Sequence, residues 1–227
     1  MKMPRCALAI ALSIMLFTSS AQGEPVFFGP SSYLSTADIP ATLYGGGALV
    51  GLENFEDGSL DFGITVSSGT FIFGPDRFAD SVDADDGALD GTGSSGKALA
   101  VNGSTVTLFF PANARMGGAV WTDGPTGTVT FEAFGPGMVS LGTIGPVAVG
   151  DGSFMGRTAE DRFFGVRDTN GVAAIRFTQN NPAIEIDHVQ FGVPLPTATV
   201  MALALLGALG AARLCQIRRW RGRSATC

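Results

Sequence analysis

Short runs of alternating apolar and polar residues limit the fold of this chain more than any other feature of its sequence. In the run 105–110, Val106, Leu108 and Phe110 alternate with polar or small neighbours. A period of two places every second side chain on the same face of a β-strand. Residues 24–192 contain many such runs, separated by Gly, Asp, Asn and Pro, and no long helical periodicity. The pattern therefore predicts an all-β fold.

The runs give about ten strands, which favours a jelly-roll-like β-sandwich of two sheets. Two turns are predicted as hairpins: Gly135-Pro136-Gly137, and Asn170-Gly171, whose Asn-Gly pair suits a tight turn. The predicted strands are 48–52, 62–66, 70–73, 105–110, 119–122, 128–134, 138–141, 162–167, 172–178 and 183–191.

The last predicted strand changes its inward face partway along. Ile184 and Ile186 occupy even positions, whereas Val189 and Phe191 occupy odd ones. A β-bulge at residues 187–188 would restore the register. The alternative is an edge strand that exposes Val189 to solvent.

Residues 193–212 form an uncharged stretch, followed by a basic end. As a helix these 20 residues would extend about 30 Å, the thickness of a bilayer core. The stretch predicts a single transmembrane helix whose basic end stays on the cytoplasmic side, serving as a permanent or a transient anchor. A buried core helix with a basic tail is the alternative. The basic residues are Arg213, Arg218, Arg219, Arg221 and Arg223.

The first 23 residues have the layout of a secretory signal peptide. Lys2 and Arg5 precede an apolar segment at 7–17, and Ala21-Gln22-Gly23 provides a cleavage site with small residues. A mature N-terminal helix is the alternative. The prediction places the domain at 24–192 on the outer side of the membrane.

The predicted domain is strongly acidic and contains no cysteine. Residues 24–192 hold seven basic and all 20 acidic residues of the chain, a formal charge of −13, against −6 for the whole chain. Such a charge opposes binding to nucleic acid and to anionic lipid. The three cysteines lie outside the domain, so disulfides do not stabilise it.

The segment 193–227 resembles the PEP-CTERM sorting tail, which combines a Pro-Glu-Pro signature, an apolar helix and a basic end. Its signature positions are Val193, Pro194, Leu195 and Pro196, so leucine stands where the family has glutamate. The resemblance implies export in a Gram-negative bacterium that makes exopolysaccharide, and handling by an exosortase-like membrane enzyme. Retention and removal of the tail both stay open.

The segment 118–192 is similar to the carbohydrate-binding-module-like sandwich found in proteins with such tails. The similarity rests on AVWTDG, VTFEAF, SLGTI, DRFFGV, VAAIRFT and IEIDHVQFG, in that order. It implies polysaccharide as a partner. By analogy with jelly-roll modules it also implies a structural Ca²⁺ between Glu56 (or Glu53) and Asp187.

An acid-rich stretch at 80–90 is a second candidate calcium site, since Ca²⁺ prefers six to eight hard oxygen ligands. The spacing is not that of an EF-hand, and a solvated acidic loop is the alternative. The candidate ligands are Asp83, Asp85, Asp86 and Asp90.

Few residues of the domain suggest catalysis. His188 is the single histidine of the chain, which with no cysteine in the domain argues against a zinc site. Glu132 or Glu160 would have to pair with another carboxylate for glycoside hydrolysis. The sequence favours a non-enzymatic exported surface or matrix protein with polysaccharide as its candidate ligand. A glycan hydrolase and a purely structural matrix component are the alternatives.

Overall fold

The computed structural model describes residues 23–44, 47–75, 78–82, 96–112, 114–150, 152 and 160–194. These residues form two antiparallel sheets. The seven-stranded sheet contains β1 (Val26–Ser32), β2 (Gly47–Glu53), β4 (Thr70–Phe73), β5 (Ala98–Val101), β7 (Met116–Asp123), β10 (Arg162–Arg167) and β12 (Ile184–Pro194). The five-stranded sheet contains β3 (Thr65–Val66), β6 (Thr105–Phe109), β8 (Thr128–Phe134), β9 (Ser140–Ala148) and β11 (Ala174–Gln179).

The strand order places β12 in the interior of the larger sheet. That sheet runs β1-β10-β7-β12-β5-β4, and β2 pairs with the second half of β12 beside β5. The smaller sheet runs β3-β6-β11-β8-β9. Thr36–Asp38 and Pro136–Met138 form short 3₁₀ turns.

The two sheets share one apolar core with a cluster of aromatic rings at its centre. The ring centroid of Phe131 lies 5.7 Å from that of Phe164 and 5.3 Å from that of Phe177. Phe131 and Phe177 come from the smaller sheet and Phe164 from the larger, so the rings join the two layers. Trp121 is fully buried beside them, and its Nε1 donates to Gln179 Oε1 at 3.1 Å. The all-β prediction is confirmed, while its finer assignment to the jelly rolls stays a prediction.

The predicted strands agree best where the alternation is unbroken. The bounds of β4, β8 and β10 are those predicted, and β8 and β9 pair across the turn at Gly135. The sequence missed β1 and most of β9 because each contains a Gly-Pro pair, Gly29-Pro30 or Gly145-Pro146, which normally indicates a break. It also missed β5, whose residues ALAV are all buried and do not alternate.

The prediction of a hairpin at Asn170-Gly171 is wrong. The strand before it, β10, belongs to the seven-stranded sheet, and the strand after it, β11, belongs to the five-stranded sheet. The turn therefore connects the two layers. A tight turn signal in the sequence fixes the local backbone but not which sheet receives the next strand.

The predicted bulge in the last strand is confirmed. The register between β12 and β7 shifts between Asp187 and Gln190, and His188 adopts a left-handed φ of 44°. Val189 is fully buried, so the interpretation as an exposing edge strand is wrong. The extra residue returns Val189 to the core face that Ile186 already occupies.

The two chain ends of the described domain leave from the same end of the sandwich. Val26 of β1 pairs with Arg167, Arg167 pairs with Met116, and Met116 pairs with Gly192 of β12. We call this row of four residues the terminal end. The distal end is the opposite one, where Ile184 begins β12; ten residue steps of about 3.3 Å separate it from Pro194, roughly 33 Å in all.

Several predictions concern residues outside the described part of the chain. They include the signal peptide 1–23 apart from Gly23, and the transmembrane helix. Val193 and Pro194 end β12, but the rest of the sorting signature and the basic end are not described. In the ranges that the structure covers, none of the helices has the length and apolarity to cross a membrane. Also outside are Asp83, Asp85, Asp86, Asp90, Leu195, Pro196, Arg213, Arg218, Arg219, Arg221 and Arg223.

Candidate functional site

An aromatic groove lies on the outer face of the seven-stranded sheet, near its distal end. Phe71 and Phe73 of β4 stand on this face, opposite Ala100 and Ala98 of β5. The two phenyl rings meet edge to face with centroids 6.2 Å apart. Because the alanines are small, they leave a depression beside the phenyl rings.

The groove has a volume of about 260 Å³. Phe71 and Phe78 are 41% and 39% exposed, which is high for phenylalanine. Asn102 and Glu185 also line the groove and give it an amide and a carboxylate. Largely apolar walls with a few polar groups are typical of small-ligand sites.

The segment that carries Phe78 is attached to the outer face of β12. The backbone N–H of Asp80 donates to Glu185 Oε2 at 2.8 Å, and that of Val82 donates to Asp187 Oδ2 at 2.9 Å. Both acceptors precede the bulge and point away from the sheet core. The bulged strand thus positions one wall of the groove.

The predicted calcium pair, Glu56 and Asp187, meets at a serine that the sequence analysis did not single out. Ser81 Oγ lies 3.3 Å from Glu56 Oε1 and 3.1 Å from Asp187 Oδ2. Asp187 is fully buried, and its Oδ1 accepts from the backbone N–H of His188 at 2.6 Å. Residues far apart in sequence therefore place two carboxylates around one hydroxyl.

Lys97 completes the surroundings of Glu56. Its backbone N–H donates to Glu56 Oε1 at 2.5 Å, and its ammonium group donates to the Glu56 carbonyl. Glu53, the alternative calcium ligand, instead accepts from the N–H groups of Phe55 and Asp61 within its own loop. Of the two candidates, Glu56 is the one joined to Asp187 through Ser81.

The fit of this cluster to Ca²⁺ is partial. Two carboxylates and a hydroxyl are hard oxygen ligands, but calcium takes six to eight. Across the described ranges, no three or more His, Cys, Asp and Glu side chains are grouped to hold a metal. The remaining ligands would have to be carbonyl oxygens, waters or residues outside those ranges.

His188 is packed within the sheet. Its Nδ1 lies 3.0 Å from the Tyr33 hydroxyl, and the two rings meet edge to face. Nearby, the Tyr44 hydroxyl donates to Gln190 Oε1 at 2.5 Å. Burial raises the pKa of both tyrosines well above the ordinary range. This network fixes the segment between β1 and β2 onto the sheet.

The two carboxylates suggested for glycoside hydrolysis lie on different sheets. Glu132 stands on the outer face of β8, where its Oε2 is 3.6 Å from Arg176 Nη1. Glu160 is buried just before β10 of the other sheet. Glu132 and Glu160 are therefore not a pair, and pairing of either one with another carboxylate stays a prediction.

Sequence reasoning missed the aromatic groove, Ser81 and Lys97. Phe71, Phe73 and Phe78 appear in the sequence as ordinary apolar residues, because the chain has 17 phenylalanines. Ser81 lies in an acidic stretch whose aspartates were the candidate ligands. One usable signal was present: Lys97 is the only lysine of the domain.

Comparison with known proteins gives little further information. No family model matches the chain, and no curated protein matches it. One solved structure that does match is TmCBM61 in complex with β-1,4-galactotriose, with 13% identity and a TM-score of 0.37. The match covers 61% of this chain and 93% of that one. A likeness of this size does not assign a function.

Proposed function

We propose that this chain is an exported, membrane-tethered protein of the cell envelope or matrix, whose sandwich binds polysaccharide without catalysis. The observation that carries the binding function is the groove of Phe71, Phe73 and Phe78 with its polar groups at the distal end. The structure supports a shallow, open site on the sheet surface.

The chemistry of the groove suits a sugar. One face of a pyranose ring carries C–H groups, which pack on the negative face of an aromatic ring. Exposed Phe71 and Phe78 offer such faces, and Asn102 can donate and accept hydrogen bonds with sugar hydroxyls. The Glu185 carboxylate also accepts, although Asp80 already uses one of its oxygens.

Export and tethering rest on the sequence alone. The signal peptide, the uncharged stretch 193–212 and the arginines after it support a domain outside the cytoplasm. The PEP-CTERM-like signature supports handling by an exosortase-like enzyme. Intact mass of the protein recovered from the medium tests removal of the tail; a species that still carries residues 217–227 contradicts removal for that population.

Affinity electrophoresis through gels that contain different polysaccharides tests the binding function. We expect at least one polysaccharide to retard the domain, and Phe71→Ala and Phe78→Ala to abolish most of the retardation. Phe62→Ala is the matched control, since Phe62 is an exposed phenylalanine remote from the groove.

The outcomes separate the alternatives. Retardation that all three variants retain excludes the groove as the site. No retardation by any polysaccharide favours the purely structural matrix component. Release of reducing ends that is lost in Glu132→Gln or Glu160→Gln would instead identify a hydrolase.

We also propose a structural Ca²⁺ at Glu56 and Asp187, supported by their convergence on Ser81. An ion that binds only the folded state raises stability by RT ln(1 + [L]/Kd). We expect added calcium to raise the Tm of the wild type and not that of Glu56→Gln. A Tm that is equal in calcium and in chelator contradicts the site.

A further inference from the structure

The terminal end of the sandwich exposes large apolar side chains. Val139 is 65% exposed, Phe62 49% and Met138 40%, and Val26 at the start of β1 is similarly open. Among the described residues, the other large apolar side chains this exposed are Leu60, two residues before Phe62, and the groove residues Phe71 and Phe78.

Hydrogen bonds and close contacts place these loops at one end. The turn at 135–139 packs on Gly171, where an added Cβ would lie 3.3 Å from Pro136 Cγ. Gly171 lies in the connection that follows Arg167, the last residue of β10. Gly63, next to Phe62, packs similarly on Pro111. Two loops and the first residue of β1 thus present apolar groups where β1 begins and β12 ends.

The chain itself indicates what covers this end. Beyond Pro194 only residues 195–212 are uncharged before Arg213, which makes 18 residues. A transmembrane helix needs about 20 residues, with a range of about 17 to 25. A span of about 17 residues uses almost all of the stretch and leaves one connecting residue, roughly 3.5 Å of extended chain, and a longer span leaves none.

We propose that the terminal end is a membrane-contact surface that lies against the lipid interface. Isolated apolar residues are ordinary, but several at one end, directly beside the tether, mark an interaction surface. The inference rests on the proposed anchoring by residues 195–212. It adds an orientation: the sandwich stands on the bilayer and holds the aromatic groove about 30 Å away from it.

The local charges agree with this orientation despite the acidity of the domain. Arg115 and Arg167 lie at the terminal end, and Asp168 there is buried and accepts from the backbone of Asn170. The exposed acids of this end in the described ranges are Glu24 and Asp61, and they balance the two arginines. The buried acids Asp80, Asp123 and Asp187 belong to the distal half instead. The contact is therefore expected with uncharged phospholipid.

Site-specific fluorescence on the full-length chain in phosphatidylcholine vesicles tests the proposal. The native cysteines are replaced by serine and a single environment-sensitive label is attached through Val139→Cys, or through Asn181→Cys in the exposed turn at the distal end. A third sample keeps Cys215 as the labelled site. Each is measured with and without brominated lipid.

We expect brominated lipid to quench the label at position 139 several times more than the label at position 181. Quenching of Cys215 but not of position 139 overturns the membrane-contact surface and leaves the anchor intact. Quenching at neither position overturns the surface and the anchor together.

A second variant separates apolar docking from mere closeness to the tether. With the label moved to the exposed Ala112→Cys, Val139→Asp is expected to lower the quenching, because it places a charge at the lipid interface. Asn181→Asp is the control and is expected to change nothing. Equal quenching of the label in the parent protein, in Val139→Asp and in Asn181→Asp contradicts docking through apolar side chains.

Discussion

Replacing Asp187 by asparagine tests whether its buried carboxylate holds the groove segment in place. The two oxygens accept from His188 N at 2.6 Å, Val82 N at 2.9 Å and Ser81 Oγ at 3.1 Å. Asparagine keeps one accepting oxygen, but its NH₂ group replaces the other oxygen and faces either the His188 N–H or the Val82 N–H, which then has no acceptor. Leaving one buried donor unsatisfied costs about 1 to 3 kcal/mol, so we expect Asp187→Asn to lower the free energy of unfolding by about 2 kcal/mol.

Urea unfolding of the domain in chelator measures this loss without any contribution from calcium. Asp187→Ala should cost more than Asp187→Asn, since it removes both acceptors, whereas Ser81→Ala should cost only about 1 kcal/mol. Glu132→Gln is the control: its partly exposed ion pair with Arg176 is worth less than about 1 kcal/mol. The reasoning is refuted if Asp187→Asn is no more destabilising than Glu132→Gln.

Two further predictions concern the buried aromatic residues. Burial raises the pKa of Tyr33 and Tyr44, so their hydroxyl groups lose protons at lower pH in the unfolded chain than in the folded one. The contribution of the two tyrosines to the free energy of unfolding is therefore complete below about pH 10 and falls as the pH rises beyond it. Unfolding measured from about pH 8 to about pH 11 should show a shallower alkaline loss for Tyr44→Phe than for the wild type, and an unchanged slope would contradict the burial argument. Trp121→Phe removes the bond to Gln179 Oε1 and leaves a cavity, so urea unfolding should show a loss of about 2 to 3 kcal/mol; a loss below about 0.5 kcal/mol would contradict this estimate.

The fold was predictable from the sequence where local pattern and tertiary structure agree. Unbroken alternation defined β8, and the change of parity between Ile186 and Val189 correctly indicated the bulge. The Gly-Pro pairs in β1 and β9 misled because both strands lie at a sheet edge, where the missing N–H and the local kink are tolerated. The local sequence does not show whether a strand lies at the edge or in the interior of its sheet, because that position depends on which strands it pairs with.

The candidate site was less predictable because it depends on register. Analogy with jelly-roll modules suggested Glu56 and Asp187, but their meeting at Ser81 depends on how the segment 78–82 lies across β12. The groove likewise requires that Phe71 face Ala100 across two strands separated by more than twenty residues in the chain. An exposed phenylalanine cannot be told from a buried one until both the register and the covering segments are known.

The bulged strand β12 connects the two ends of the molecule. Before the bulge, Glu185 and Asp187 face outward and hold the segment beside the groove; after it, Gln190 faces outward and holds Tyr44. Without the extra residue at His188, one half of the strand would turn its apolar side chains to the outer face.

Beyond the bulge, β12 is hydrogen-bonded to β7 on one side and to β2 on the other. If residues 195–212 tether the chain as proposed, a pulling force would act on an interior strand along its axis, and both ladders would share the load in shear. A tether on an edge strand such as β1 would instead load the hydrogen bonds to a single neighbouring strand, β10. Under the proposed anchoring, the strand next to the anchor is thus also the one paired on both sides along its second half.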